Sequence, residues 1–156
     1  MRRDSRRTIA LGAALFALTL TTGAATPSVD PTPKQTKITV YKDPSCGCCK
    51  SWIQHLIKYG YDVDAKDTPA MAEVKRTLGV PDALTSCHTA VVNGYLIEGH
   101  VPATDIARLL KEKPKVAGLA VPGMPAGSPG MEGPRKQHYQ VLSFDKNGKT
   151  RIFASY

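Results

Sequence analysis

The stretch "KITVYKDPSCGCCKSWIQHLIKYG", residues 37–60, sets a strand directly against a helix. Residues 37–42 alternate with β-branched side chains, the pattern of a strand. Pro44 and Ser45 break it. Trp52, Ile53, Leu56 and Ile57 then recur at helical spacing until Gly60 stops the run. Cys46, Cys48 and Cys49 fall at what the spacing predicts to be the first turn of that helix.

Reading outward, "YDVDAKD" (61–67) is a second strand and "PAMAEVKRTLG" (69–79) a second helix with Pro69 at its start. "TAVVNGYLIEGH" (89–100) holds two short strands joined at Asn93-Gly94, a strong hairpin signal. "PATDIARLLKEK" (102–113) is a third helix with Ile106, Leu109 and Leu110 on one face. The order is β-α-β-α-β-β-α. A strand, a helix with cysteines at its first turn, and a later antiparallel hairpin closed by a helix make a thioredoxin-like α/β arrangement the expected fold. Residues 118–134, "GLAVPGMPAGSPGMEGP", hold five glycines and four prolines, and at that density no regular element is expected. Such a stretch inside a compact domain serves as a lid or a linker. "HYQVLSF" (138–144) and "TRIFASY" (150–156) predict a C-terminal hairpin that extends the sheet. There is no internal repeat.

The chain begins with Arg2, Arg3, Arg6 and Arg7, an apolar run from Ile9 to Leu20, and small residues around Ala24 and Ala25. That is a secretory signal peptide over 1–25, its apolar core too short for a transmembrane helix. "SRRTIAL" (5–11) also carries the twin-arginine cue for export of folded cargo; paired arginines arise by chance in basic leaders, so both export routes stay open. Residues 26–36 read as a flexible, proline-rich lead-in, and 37–156 as one domain, large enough to hide roughly two thirds of its unfolded surface. The whole chain carries a net +8, and removal of the leader's four arginines and one aspartate leaves +5. The lysines are scattered, with no basic run and few aromatics to interleave, which argues against nucleic acid as a partner.

All four cysteines lie in the expected mature part, and an exported protein meets an oxidising compartment. A Cys48–Cys49 bond would be a strained vicinal ring, so the thiols are paired otherwise or held by metal. Cys46 and Cys49 form a C-x-x-C where a helix's free N–H groups favour thiolate, which suits thiol exchange and metal binding equally. Cys48 separates the two readings. Between an exchanging pair a third thiol has no obvious use, whereas a metal site employs it readily. Adjacent side chains on a helix diverge by about 100°, so Cys48 and Cys49 present sulfur to different ions and bridge them. Thiolate bridging suits Cu(I); zinc would prefer two separated C-x-x-C knuckles. Cys87, in "LTSCHTAVV", supplies a fourth sulfur from the loop before a strand, where a thioredoxin-like fold normally carries a cis-proline. The competing reading of Cys87 is a structural disulfide to Cys46 or Cys48. His88 is a candidate nitrogen ligand, and Met124 and Met131 are candidate thioether ligands on the glycine-proline loop. His55 lies two turns beyond Cys48, about 10 Å along the axis, too far for direct ligation. His100 either faces the site or caps the third helix, the cap being the plainer reading. Trp52 reads as core, and Lys42 and Asp43 as groups that tune the local charge.

"YKDPSCGCCKSW", "SCHTAVV", "IEGHVPA" and "GLAVPGMPAGSPGMEG" together resemble the CopG-type periplasmic copper-resistance family, long catalogued as a domain of unknown function. The resemblance spans about residues 37–156. It implies a thioredoxin-like fold whose thiolates, by position Cys46, Cys48, Cys49 and Cys87, hold a polynuclear Cu(I) cluster. It also implies copper handling in the periplasm, with Cu(I)/Cu(II) interconversion as a family-level proposal and other periplasmic copper-handling proteins as partners. Two competitors stand beside it. One is a periplasmic thiol-disulfide oxidoreductase using Cys46 and Cys49, with Cys48 as resolving thiol. The other is an iron-sulfur carrier, against which the crowding of three sulfurs argues, because each iron takes its own sulfur pair.

Overall fold

The computed structural model describes residues 36–156. The leader expected at 1–25, and all but the last residue of the expected lead-in, lie outside the described residues. The elements run β1 (Lys37–Lys42), α1 (Gly47–Lys58), β2 (Asp62–Asp67), α2 (Met71–Leu78), β3 (Thr89–Val92), β4 (Tyr95–Glu98), α3 (Ala103–Glu112), β5 (Gly118–Ala120), β6 (Gln140–Phe144) and β7 (Thr150–Ser155), with a 3₁₀ turn at Asp82–Leu84. The expected order holds through α3. Pro69 and Ala70 precede α2 rather than belonging to it, and Gly79 ends that helix in the left-handed conformation (φ 80°) that suits glycine.

The seven strands form one sheet in the order β2-β1-β3-β4-β5-β6-β7. β1 runs parallel to β2 and antiparallel to β3. Its alternation puts Ile38 and Val40, both fully buried, on one face. Against the sheet pack Trp52, Ile53 and Leu56 of α1 and Ile106 and Leu109 of α3, together with Ile97, Leu119 and Val141. Each such side chain contributes about 1.5–3 kcal/mol by leaving water, so this cluster dominates the fold's stability. Trp52 also donates its indole N–H to the Val101 carbonyl at 2.9 Å, which ties α1 to the turn entering α3. The β3–β4 hairpin turns at Asn93 (φ 46°) and Gly94 (φ 83°), both left-handed as a two-residue hairpin requires.

The glycine-proline stretch corrects one expectation. Its first residues form β5, which pairs in parallel with Leu96–Glu98 and antiparallel with Leu142–Phe144. The local composition is overridden because two strands already in place offer their main-chain groups on either side. Gly118 lies so close to the Leu96 backbone that a Cβ would overlap it. The C-terminal hairpin β6–β7 extends the sheet as expected, its turn held by Asp145 Oδ1, which accepts the N–H of Asn147 (2.9 Å) and Lys149 (3.0 Å). Among the described residues no helix is long and apolar enough to cross a membrane.

Candidate metal centre

The turn between β1 and α1 presents three cysteines. Asp43 accepts the Ser45 N–H at 2.8 Å and the Ser45 hydroxyl at 2.5 Å, which fixes the turn and draws the carboxyl below its ordinary range. Lys42 is nearly buried and pairs with Asp67 at 2.5 Å. Cys46 caps α1, its sulfur accepting the Cys49 N–H at 3.3 Å. Cys46 and Cys49 are joined by a disulfide, while Cys48 and Cys87 are free thiols. Cys87 is therefore not in the disulfide to Cys46 or Cys48 that the sequence left open. The C-x-x-C cysteines lie on adjoining turns of one element and close more readily than a pair that the loop must bring together.

The four sulfurs converge. Cys48 Sγ lies 3.5 Å from Cys46 Sγ and 3.8 Å from Cys87 Sγ, and all four ligand atoms fall within 4.8 Å of one another. Cys87 also belongs to a second group. His88 Nδ1 and His100 Nε2 each stand 3.1 Å from its sulfur. The His100 Nδ1 faces the Pro129 carbonyl at 2.7 Å, which accepts only from an N–H. The proton thus sits on Nδ1 and the Nε2 lone pair faces Cys87. His88 is fully buried, its ring 4.2 Å from that of Trp52 between centroids, and its Nε2 is the one buried side-chain polar atom without a partner among the described residues.

The electrostatics favour neutral groups. Burial, reinforced by the neighbouring Cys48, pushes the Cys87 thiol up to about 12. Burial also holds His88 well below, and His100 below, the usual imidazole range. At neutral pH the surroundings of Cys87 therefore favour a neutral thiol and lone-pair nitrogens over ions. A soft cation that displaced a thiol proton would supply the charge that the resulting thiolate needs, so metal binding here would be coupled to proton release.

The structure brings Met124 to this group. Its sulfur lies 4.0 Å from Cys48 Sγ, and the side chain is 52% exposed, at the mouth of the site. Met131 engages Gly127 and Ser128 through its backbone, and its thioether has no close contact with a cysteine sulfur among the described residues. His55 stands apart from the sulfurs, as its spacing predicts. Its Nε2 accepts the Ala103 N–H at 3.0 Å and so caps α3. Of the two places expected for His100 the structure shows the one facing the centre, and His55 fills the capping role. Gly99 makes the difference: its left-handed turn (φ 71°) swings His100 back beside Cys87. A glycine directly before the histidine was the available signal.

The glycine-proline loop closes one side. A Cβ on Gly130 would lie 2.7 Å from the Trp52 backbone nitrogen and 2.9 Å from the Cys48 carbonyl oxygen. The loop is therefore seated on the first turns of α1 in a way only glycine allows. Ser128 is fully buried there, its hydroxyl donating to Pro125 O at 2.7 Å.

Fold and site together define a mixed α/β protein built around a sulfur-rich centre able to hold soft metal. A family model described as "Protein of unknown function, DUF411" matches residues 84–131. Two solved structures agree over most of the chain. "Copper resistance protein copG- Form 2" is 48% identical, with 78% of this chain and 98% of that chain covered at a TM-score of 0.74. "Copper resistance protein copG- Form 1" is 48% identical, with 77% and 96% covered at 0.73. No curated protein matches. The chain belongs to the CopG family of copper resistance proteins.

Proposed function

We propose that this protein binds several Cu(I) ions through Cys46, Cys48, Cys49 and Cys87 in a cysteine-bridged cluster and serves copper resistance in the periplasm, with the leader at 1–25 directing export. The observation that carries the reading is the convergence of four sulfurs, from two distant parts of the chain, within 4.8 Å. Soft donors of this kind select Cu(I) among the first-row ions. His88, His100 and Met124 border the same sulfurs as further donors. The binding state is the reduced one. Oxidation of two thiolates to a disulfide releases two electrons and removes two ligands, so metal load and thiol state are linked. Those electrons are available to reduce two Cu(II) to two Cu(I).

Metal content and free-thiol count on protein isolated without oxygen from copper-fed cells test this directly. Several coppers per chain with all four thiols protected are expected. No copper and two titratable thiols would sink the cluster reading.

The Cys46–Cys49 disulfide favours a second reading, a periplasmic thiol-disulfide oxidoreductase. It predicts that Cys46→Ser abolishes disulfide exchange while Cys87→Ser is mild. A cluster loses copper with either change.

A further inference from the structure

Cys87 reaches the other sulfurs from a segment with no proline before its strand and no cis peptide bond among the described residues. What holds that segment is a carboxylate. Glu98, at the end of β4 and fully buried, accepts the Ser86 N–H on Oε1 at 2.6 Å and the Thr89 hydroxyl on Oε2 at 2.6 Å. Ser86 and Thr89 bracket Cys87 and His88, so one side chain grips both ends of the four-residue segment. The next residue, Gly99, donates its N–H to the His88 carbonyl at 3.0 Å. A Cβ there would lie 2.5 Å from both Ser86 Oγ and Val121 O, so the two segments run in close contact.

The negative charge of Glu98 is answered from α2. Lys75 Nζ lies 2.5 Å from Glu98 Oε1 and 2.9 Å from Thr89 Oγ1. The Thr89 hydroxyl thus gives its one proton to Glu98 and accepts from Lys75. A buried ion pair is weak as a stability device, because an apolar pair of similar volume is often as good. It is strong as a geometric one, since each charge fixes the donors and acceptors around it.

We propose that Glu98, neutralised by Lys75, is the positioning residue that holds Cys87 against Cys48, in the place where a related fold would use a cis-proline. This rests on the copper reading of Cys87.

The test compares wild type, Cys87→Ser, the double variant Lys75→Met/Glu98→Leu and Glu98→Asp. The double variant removes both charges together and leaves no unpaired buried ion. Glu98→Asp keeps the charge but is one methylene too short to reach Ser86 and Thr89 together. Two quantities are read in folded, reduced protein. They are the Cu(I) count per chain under anaerobic competition with bathocuproine disulfonate, and the rate of Cys87 alkylation by iodoacetamide without copper, followed by peptide mass spectrometry. Thermal unfolding of each variant establishes that it is folded. Either folded variant is expected to bind as little copper as Cys87→Ser and to alkylate at Cys87 about tenfold faster or more. A uniform loss of stability would not single out Cys87. A folded variant that keeps the wild-type copper count overturns the proposal, whatever its alkylation rate. If Cys87→Ser itself keeps the wild-type count, the copper reading of Cys87 fails instead.

Discussion

Cys48 and Cys87, 39 positions apart in sequence, bring their sulfurs to 3.8 Å while Cys46 and Cys49 are bonded to each other. The pair left free is thus the one that joins the helix to the loop before β3. Each of its members has a further donor nearby, Met124 for Cys48 and two imidazoles for Cys87.

Cys48→Ser separates the two functional readings. In the copper reading the Cys46–Cys49 disulfide does not depend on Cys48, so its reduction and re-formation should persist. In the exchange reading Cys48 is instead the resolving thiol. Cu(I) affinity should fall by about 100-fold or more, since ligand loss exceeds the 10–100-fold typical of losing a supporting contact. Competition with a chromogenic Cu(I) chelator measures it. Unchanged affinity with lost disulfide turnover would favour thiol exchange.

Gly130→Ala should unseat the glycine-proline loop. Its left-handed φ of 85° alone costs a side chain about 1–2 kcal/mol, and the added methyl meets two backbone atoms of α1 that cannot swing away. A lower melting temperature is expected, with faster copper exchange. Exchange at the wild-type rate in folded protein would remove the loop from control of access.

His55→Gln should alter the acid limb of stability. Burial, the largest influence, outweighs nearby Glu132 and holds His55 below 6.5 in the folded protein. The unfolded chain takes up the proton first as pH falls. The His55 contribution is therefore complete above about pH 6.5 and is lost as pH drops through the folded-state value. Protonation of Nε2 also removes the acceptor for Ala103 N–H. His88 and His100, likewise held down by burial, act in the same direction. Urea unfolding of copper-free protein between pH 7 and 5 should show a shallower decline in the glutamine variant. Identical slopes would exclude His55 from the acid response.

Trp52→Phe should cost about 1–3 kcal/mol, because the buried Val101 carbonyl loses its donor. The same ring supports His88, so the variant should also broaden the His88 signals in NMR spectra. A neutral effect on both would remove Trp52 as the link between core and site.

Much of this was legible in the sequence because it is local. The break at Pro44-Ser45, the cysteines on the first turn of α1, and the Asn93-Gly94 hairpin each depend on a few neighbouring residues. What escaped depends on contacts across the chain. Gly118–Ala120 form a strand only because β4 and β6 flank them. His100 joins Cys87 through the turn at Gly99, and His55 takes the helix cap from 48 positions away. In the sequence nothing sets Lys75 apart from the other scattered lysines. Its burial appears only once Glu98 and Thr89 are beneath it.

The glycine-proline segment leaves the sheet at β5 and returns at β6, and those two strands are hydrogen-bonded neighbours. Its two ends are therefore stapled side by side, independently of what lies between. Residues 121–139 can thus settle against α1 without straining the register of any strand. The segment is set like a faceplate: the sheet clamps its two edges, and Gly130 on α1 and Pro129 on His100 pin its middle beside the sulfurs.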